Sequence, residues 1–203
     1  MGGGRHNVLF CFFIRKSSTT ERKVKMQQDF KDKMEKAIAD KEMGNALLKA
    51  GEFQRACMCY HRVYLHLGPH FTRPPAGGDM AATMAMHAQN QLTPEEKKAA
   101  LALLVASYNN LALCQLNLGK YQRCVEVATQ VLELDSTSSK AHLRRALAHA
   151  RLGDHEAAEI DMQYLLDHDS SILEGTGLQQ EIETARNNVR DRERKMFAGK
   201  LFA

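Results

Sequence analysis

Asn110-Leu111-Ala112-Leu113-Cys114-Gln115-Leu116-Asn117-Leu118-Gly119-Lys120-Tyr121-Gln122-Arg123-Cys124 can be laid over Arg144-Arg145-Ala146-Leu147-Ala148-His149-Ala150-Arg151-Leu152-Gly153-Asp154-His155-Glu156-Ala157-Ala158 at a shift of 34 residues. Ala112 then meets Ala146, Gly119 meets Gly153 and Cys124 meets Ala158, while further on Asp135 meets Asp169. Moving upstream by 68, twice that period, brings Gly44, Gly51 and Ala56 onto the same three positions. Each unit therefore reads as helix, Gly turn, helix, with turns at Gly51-Glu52-Phe53, Gly119-Lys120-Tyr121 and Gly153-Asp154-His155. Small residues at the eighth and twentieth positions let the paired helices approach closely, and a repeat of this length is the signature of a stacked helical array.

Composition agrees. Hydrophobic residues make up 44% of the 203, which is enough for one core with tails. Long stretches are rich in Ala, Leu, Glu, Lys and Gln, and few runs alternate as strands would. The net charge of +4 comes from the ends: residues 1–36 carry nine Lys/Arg against four Asp/Glu, and residues 186–203 carry six against two. The body, 37–185, is left with 13 against 18 and is acidic, so the basic balance does not indicate a nucleic-acid-binding body. The odd count of five Cys, at 11, 57, 59, 114 and 124, is not a disulfide framework and points to a reducing compartment. Val8 to Ile14 is too short an apolar run to span a bilayer, so no transmembrane segment is expected. Cys57, Cys59 and His61 lie close in sequence, but offsets of two on a helix face different ways and no second pair has zinc-site spacing. No Ser/His/Asp or Cys/His constellation stands out, and the chain reads as a non-enzyme without a cofactor or metal.

Residues 71–104 do not supply a further unit. Pro74-Pro75, Gly77-Gly78 and the Met80 to Met86 stretch read as an insertion, over about 68–93, with no Gly turn at the required offset. Thr93-Pro94-Glu95-Glu96 then reads as a helix start, with Thr93 as N-cap, Pro94 first in the helix and Glu96 closing a capping box. Residues 1–30 read as a basic, disordered segment, 31–170 as the repeat domain, and 171–203 as a C-terminal capping and extension helix with a break at Gly175-Thr176-Gly177. Leu178, Ile182 and Ala185 offer the apolar face that would cover the last repeat.

Five polar residues belong to the first helices of the units, which line the concave wall of such an array. Lys41 and Asn45 are four apart, as are Lys140 and Arg144, and Asn110 and Arg144 are separated by one 34-residue period. Three cations and two amides on one groove suit an anion with two carboxylates, since amide and ammonium donors share lone pairs and the guanidinium fork adds directed bonds.

The 34-residue helix-turn-helix period resembles the tetratricopeptide repeat family. The resemblance implies an all-α fold of three repeats in a right-handed superhelix, closed by the long C-terminal helix. Lys-x-x-x-Asn in the first unit, Asn in the second and Lys-x-x-x-Arg in the third are similar to the two-carboxylate clamp of co-chaperone tetratricopeptide domains. By that resemblance Lys41, Asn45 and Asn110 would hold a main-chain carboxylate, and Lys140 and Arg144 the terminal Asp side chain, of heat-shock protein 90 or 70 tails ending Glu-Glu-Val-Asp. The insertion, Tyr108 to Cys114 and the ending Arg194-Lys195-Met196-Phe197 resemble FKBP-type immunophilins and the tetratricopeptide repeat protein 9 group. The implied function is a cytoplasmic, co-chaperone-like adaptor. The alternatives are a non-chaperone binding module, or a calmodulin- or membrane-linked regulator working through its basic tails.

Overall fold

The computed structural model describes residues 6–68, 71 and 92–201, with side chains over 24–68, 71 and 92–197. Among the described residues the chain is helical, with no strand: α1 (His6–Lys49), α2 (Phe53–Leu67), α3 (Pro94–Asn117), α4 (Tyr121–Leu134), α5 (Ser139–Leu152), α6 (His155–His168) and α7 (Leu178–Leu201), with a 3-10 turn at Ser170–Leu173. Each helix from α1 to α6 packs on the next, and α7 lies across α5 and α6.

The three turns are built alike. Gly51, Gly119 and Gly153 have φ of 77, 71 and 86°, the left-handed region in which a Cβ is penalised. In the first turn the Gly51 N–H donates to the Leu48 carbonyl at 3.1 Å and the Glu52 N–H to Leu47 at 2.9 Å. Gly119 and Lys120 donate to Leu116 and Gln115, and Gly153 and Asp154 to Ala150 and His149, in the same pattern. This paired closure satisfies the last carbonyls of each first helix and turns the chain back on itself. The small positions do the rest: Ala56, Ala112, Cys124, Ala146 and Ala158 are fully buried, and a Cβ placed on Gly44 would come within 2.8 Å of the Tyr60 ring.

The central helix α3 begins as its sequence implied. Thr93 Oγ1 accepts from the Glu96 N–H at 3.2 Å, the Glu96 carboxylate accepts from the Thr93 N–H at 2.9 Å, and Pro94 follows the cap. This is the one helix among the described residues long and apolar enough to cross a membrane, with a mean hydropathy of 1.4 over its window. Half of that window is buried, with Leu104, Tyr108, Leu111 and Ala112 packed into the core between α2 and α4. Its apolarity is therefore used by the protein interior.

One boundary differs from the sequence reading. The expected disorder over residues 1–30 gives way to continuous helix from His6, and Phe30 is buried against Val63, Leu67 and Leu103. No Gly or Pro interrupts His6 to Phe30, so nothing local stops α1 from extending upstream of the first repeat. At the C-terminal end the break read at Gly175-Thr176-Gly177 lies between the 3-10 turn and α7, with Gly175 and Gly177 at φ of 70 and 67°. Leu178, Ile182 and Ala185 are 2–4% exposed, and the first two pack on Ala146, Ala150 and Ala158. Most of the insertion lies outside the described residues, including its expected Met/Ala stretch. Its ends are anchored where Phe71 and Leu92 pack beside Phe30 and Val63.

A buried ionic knot ties the third unit together. Asp161 on α6 is 2% exposed and accepts from Arg145 Nε at 2.8 Å and Nη2 at 2.7 Å. His142 Nδ1 lies 2.7 Å from the same carboxylate, and its Nε2 lies 3.3 Å from the Ser136 carbonyl. The His142 ring stacks on Tyr164 with centroids 3.8 Å apart. Every member has a partner, which such a charge needs when it is taken out of water.

Candidate functional site

A groove of about 650 Å³ opens beside α3. Its floor is Leu101, Ala102, Val105, Ala106 and Asn109, which share one face of α3 with Lys98, and Asn110 lies at the C-terminal end. Lys41 of α1 and Lys140 of α5 stand on either side, and Leu134 and Asp135 close the rim. Three of the five residues picked out in the sequence, Lys41, Asn110 and Lys140, thus line one cavity.

The other two, Asn45 and Arg144, sit beside that lining and connect to it. Asn110 Nδ2 donates to Asn45 Oδ1 at 2.9 Å, and the Tyr60 hydroxyl donates to the same oxygen at 2.8 Å. With both lone pairs of Asn45 Oδ1 used, its Nδ2 hydrogens remain as donors, and Asn110 keeps one N–H of its own. The sequence logic behind this contact is direct. Glycine at position 44 lets α1 approach the Tyr60 ring, and that approach puts the hydroxyl on Asn45, the next residue along.

Arg144 Nη1 donates to the Asn109 carbonyl and, at 3.2 Å, to Asn109 Oδ1. Asn109 Nδ2 donates in turn to Ser138 Oγ at 3.0 Å. Burial pulls the Arg144 guanidinium below its ordinary basicity, with no carboxylate nearby to offset it. The neighbouring Arg145 is the contrast. Its bonds to Asp161 raise its basicity, and its charge is neutralised inside the fold. Among the described residues no ion pair involves Lys41, Lys98, Lys140 or Arg144. The one acid in the lining, Asp135, is held by the Thr137 N–H at 3.1 Å and the Thr137 hydroxyl at 2.7 Å. The site therefore offers four unneutralised cations and several free amide donors to a ligand rich in acceptors.

Two contributors were not found by sequence reasoning. Asn109 is 6% exposed and orients Arg144, although the 34-residue pattern singles out only its neighbour Asn110. Lys98 precedes the second unit, on the N-terminal extension of α3, so repeat alignment gives it no counterpart. Its spacing of seven and eleven residues from Val105 and Asn109 is the signal that places it on the groove face. Elsewhere, no group of three or more His, Cys, Asp or Glu among the described residues gathers as a metal site. Cys57 lies instead 3.6 Å from Gln115 Nε2.

The family model described as tetratricopeptide repeat matches residues 105–138, the 34 residues of the second unit. Human peptidyl-prolyl cis-trans isomerase FKBP4 is 28% identical over 160 residues, covering 79% of this chain and 31% of that protein. The mouse FK506-binding protein-like is 30% identical over 153 residues, covering 75% of this chain and 37% of that protein. The chain thus spans about a third of the length of these relatives. The C-terminal TPR-containing domain of a Plasmodium falciparum FK506-binding protein superposes with a TM-score of 0.60 at 19% identity, over 81% of this chain and 95% of that domain. Together with the three matching turns, these likenesses make the chain an all-helical tetratricopeptide repeat array, homologous to FKBP4 and consistent with the tetratricopeptide domain of FKBP-type immunophilins.

Proposed function

We propose that this chain is a co-chaperone-like adaptor that grips the free C-terminus of a partner through its cation-lined groove. The observation that carries the reading is the contrast within α5: Arg145 is spent on Asp161, whereas Arg144 is desolvated with no carboxylate of its own. A charge held in that state gains most from a ligand carboxylate. Lys41, Asn45 and Asn110 would take the main-chain carboxylate, and Lys140 and Arg144 the terminal side-chain carboxylate. The partner that fits is the acidic tail of heat-shock protein 90 or 70, ending Glu-Glu-Val-Asp. The chain works by binding, with no catalytic step and no cofactor. Cys57, Cys59, Cys114 and Cys124, free thiols among the described residues, suit a reducing, cytoplasmic setting.

The test is alanine replacement at Lys140 and Arg144, read by fluorescence polarisation with a labelled peptide ending Glu-Glu-Val-Asp. Each change is expected to weaken binding by about 2–5 kcal/mol if the carboxylates are largely desolvated. Unchanged affinity in both variants refutes the clamp. A second reading has its own support in α7, where Met196 and Phe197 are 61% and 67% exposed beside Arg192, Arg194 and Lys195. This basic, apolar helix end suits calmodulin or an anionic surface. It predicts that removing 186–203 abolishes partner binding while the clamp substitutions do not.

A further inference from the structure

Lys98 has no role in a two-carboxylate grip, yet it lines the same groove. It is exposed, among the described residues it makes no ion pair or hydrogen bond, and α3 carries it more than three turns upstream of Asn110. Between them the floor is small and apolar, at Ala102, Val105 and Ala106, so an extended chain can lie along it without meeting a polar obstacle. The neighbouring acid of the lining, Asp135, is satisfied locally by Thr137 and leaves the lysine unneutralised.

We infer that Lys98 is a specificity-determining residue, reading an acidic side chain about three to five residues upstream of the bound C-terminus. The inference rests on the carboxylate-binding reading of the groove, because that reading fixes where the peptide ends. Twelve residues of helix separate Lys98 from Asn110, a rise of about 18 Å at 1.5 Å per residue. An extended peptide covers that in about five residues at roughly 3.3 Å each. The flexible stem of lysine together with the reach of the peptide's own acidic side chain lets the pair close over a shorter backbone span and widens the window to about three to five. The partner class is therefore a peptide whose acidic character continues upstream of its last two residues. A tail with a single terminal carboxylate pair would leave Lys98 unused.

A walking-glutamate series tests this. An eight-residue peptide ending Val-Asp, with a free α-carboxylate and an otherwise Ala/Ser background, carries one Glu placed in turn two to six residues upstream of the terminal Asp. Binding is measured by competition polarisation against the intact chain and its Lys98→Gln variant. Affinity is expected to rise by about two- to five-fold when Glu stands three to five residues upstream, as for an exposed ion pair. In Lys98→Gln that rise should vanish while the melting temperature is unchanged. A flat series, or a loss in Lys98→Gln that is equal for every peptide, overturns the inference. C-terminally amidated versions separate the two claims. Free-acid dependence with a flat series sinks Lys98 and leaves the clamp standing, and a series that survives amidation sinks the clamp reading on which the register depends.

Discussion

Replacing Arg144 by Met should abolish peptide binding while leaving the fold nearly untouched, and the same change at Arg145 should do the reverse. The two residues are adjacent on α5 and differ only in what they face. Arg145 supplies two bonds to Asp161, a carboxylate that is 2% exposed. Without it, Asp161 keeps only His142, and breaking a buried pair in this way costs about 3–5 kcal/mol. Arg144 has no such debtor. Its loss removes two charge-assisted bonds to Asn109 and also lifts the desolvation of an unpaired charge, two effects of opposite sign. Met keeps most of the aliphatic bulk, so the fold should change by no more than about 1 kcal/mol in either direction. Affinity for a carboxylate-ended peptide should fall by about 2–5 kcal/mol, roughly 30-fold or more. Urea titrations give the first quantity and calorimetric titration with a Glu-Glu-Val-Asp peptide the second. The reasoning fails if Arg144→Met unfolds as easily as Arg145→Met, or if it binds like the parent.

Other consequences follow from the same geometry. Gly44→Ala would force a Cβ to within 2.8 Å of the Tyr60 ring, so it should cost about 1–3 kcal/mol in thermal or urea unfolding and weaken peptide binding by moving the Tyr60–Asn45 contact. Thr93→Ala removes one half of the α3 capping box and should cost about 1 kcal/mol, without altering affinity for a peptide that ends at Asn110. Burial pushes the Tyr60 hydroxyl from its ordinary 10 up to about 12. Unfolded tyrosine ionises first, so stability is intact below pH 10 and is lost as pH rises towards 12. The contribution of Tyr60 to that loss is at most about 2–3 kcal/mol. Tyr108 shifts in the same direction, and urea midpoints at pH 8, 10 and 11 in the parent and in Tyr60→Phe would show the slope and its reduction.

The fold was legible because repetition makes one structural problem recur three times. Gly51, Gly119 and Gly153 had to be glycines for a left-handed closure, and Gly44, Ala112 and Ala146 had to be small for helices to touch. Thr93 and Glu96 act on each other across a single turn, so their pairing could be read without knowing anything else of the fold. What escaped was non-periodic. The upstream run of α1 depends on Phe30 meeting Val63 and Leu103, residues far away in sequence. The polar positions of the groove were legible by spacing, but their division of labour was not. Asn45 faces Tyr60 and Asn110 because of how α1 seats on α2, and Arg144 is oriented by Asn109, whose neighbour alone fitted the pattern. Lys98 stayed hidden because it belongs to an extension of α3 that no other unit shares.

The most direct test of the central claim compares two peptides that differ at one group. A short peptide ending Glu-Glu-Val-Asp is titrated into the intact chain by calorimetry, beside the same peptide with its C-terminus amidated. Binding of the free acid with a Kd on the order of micromolar, and a loss of about 30-fold or more on amidation, is the result a carboxylate grip predicts. Equal binding of the two peptides, or binding of neither, would contradict it.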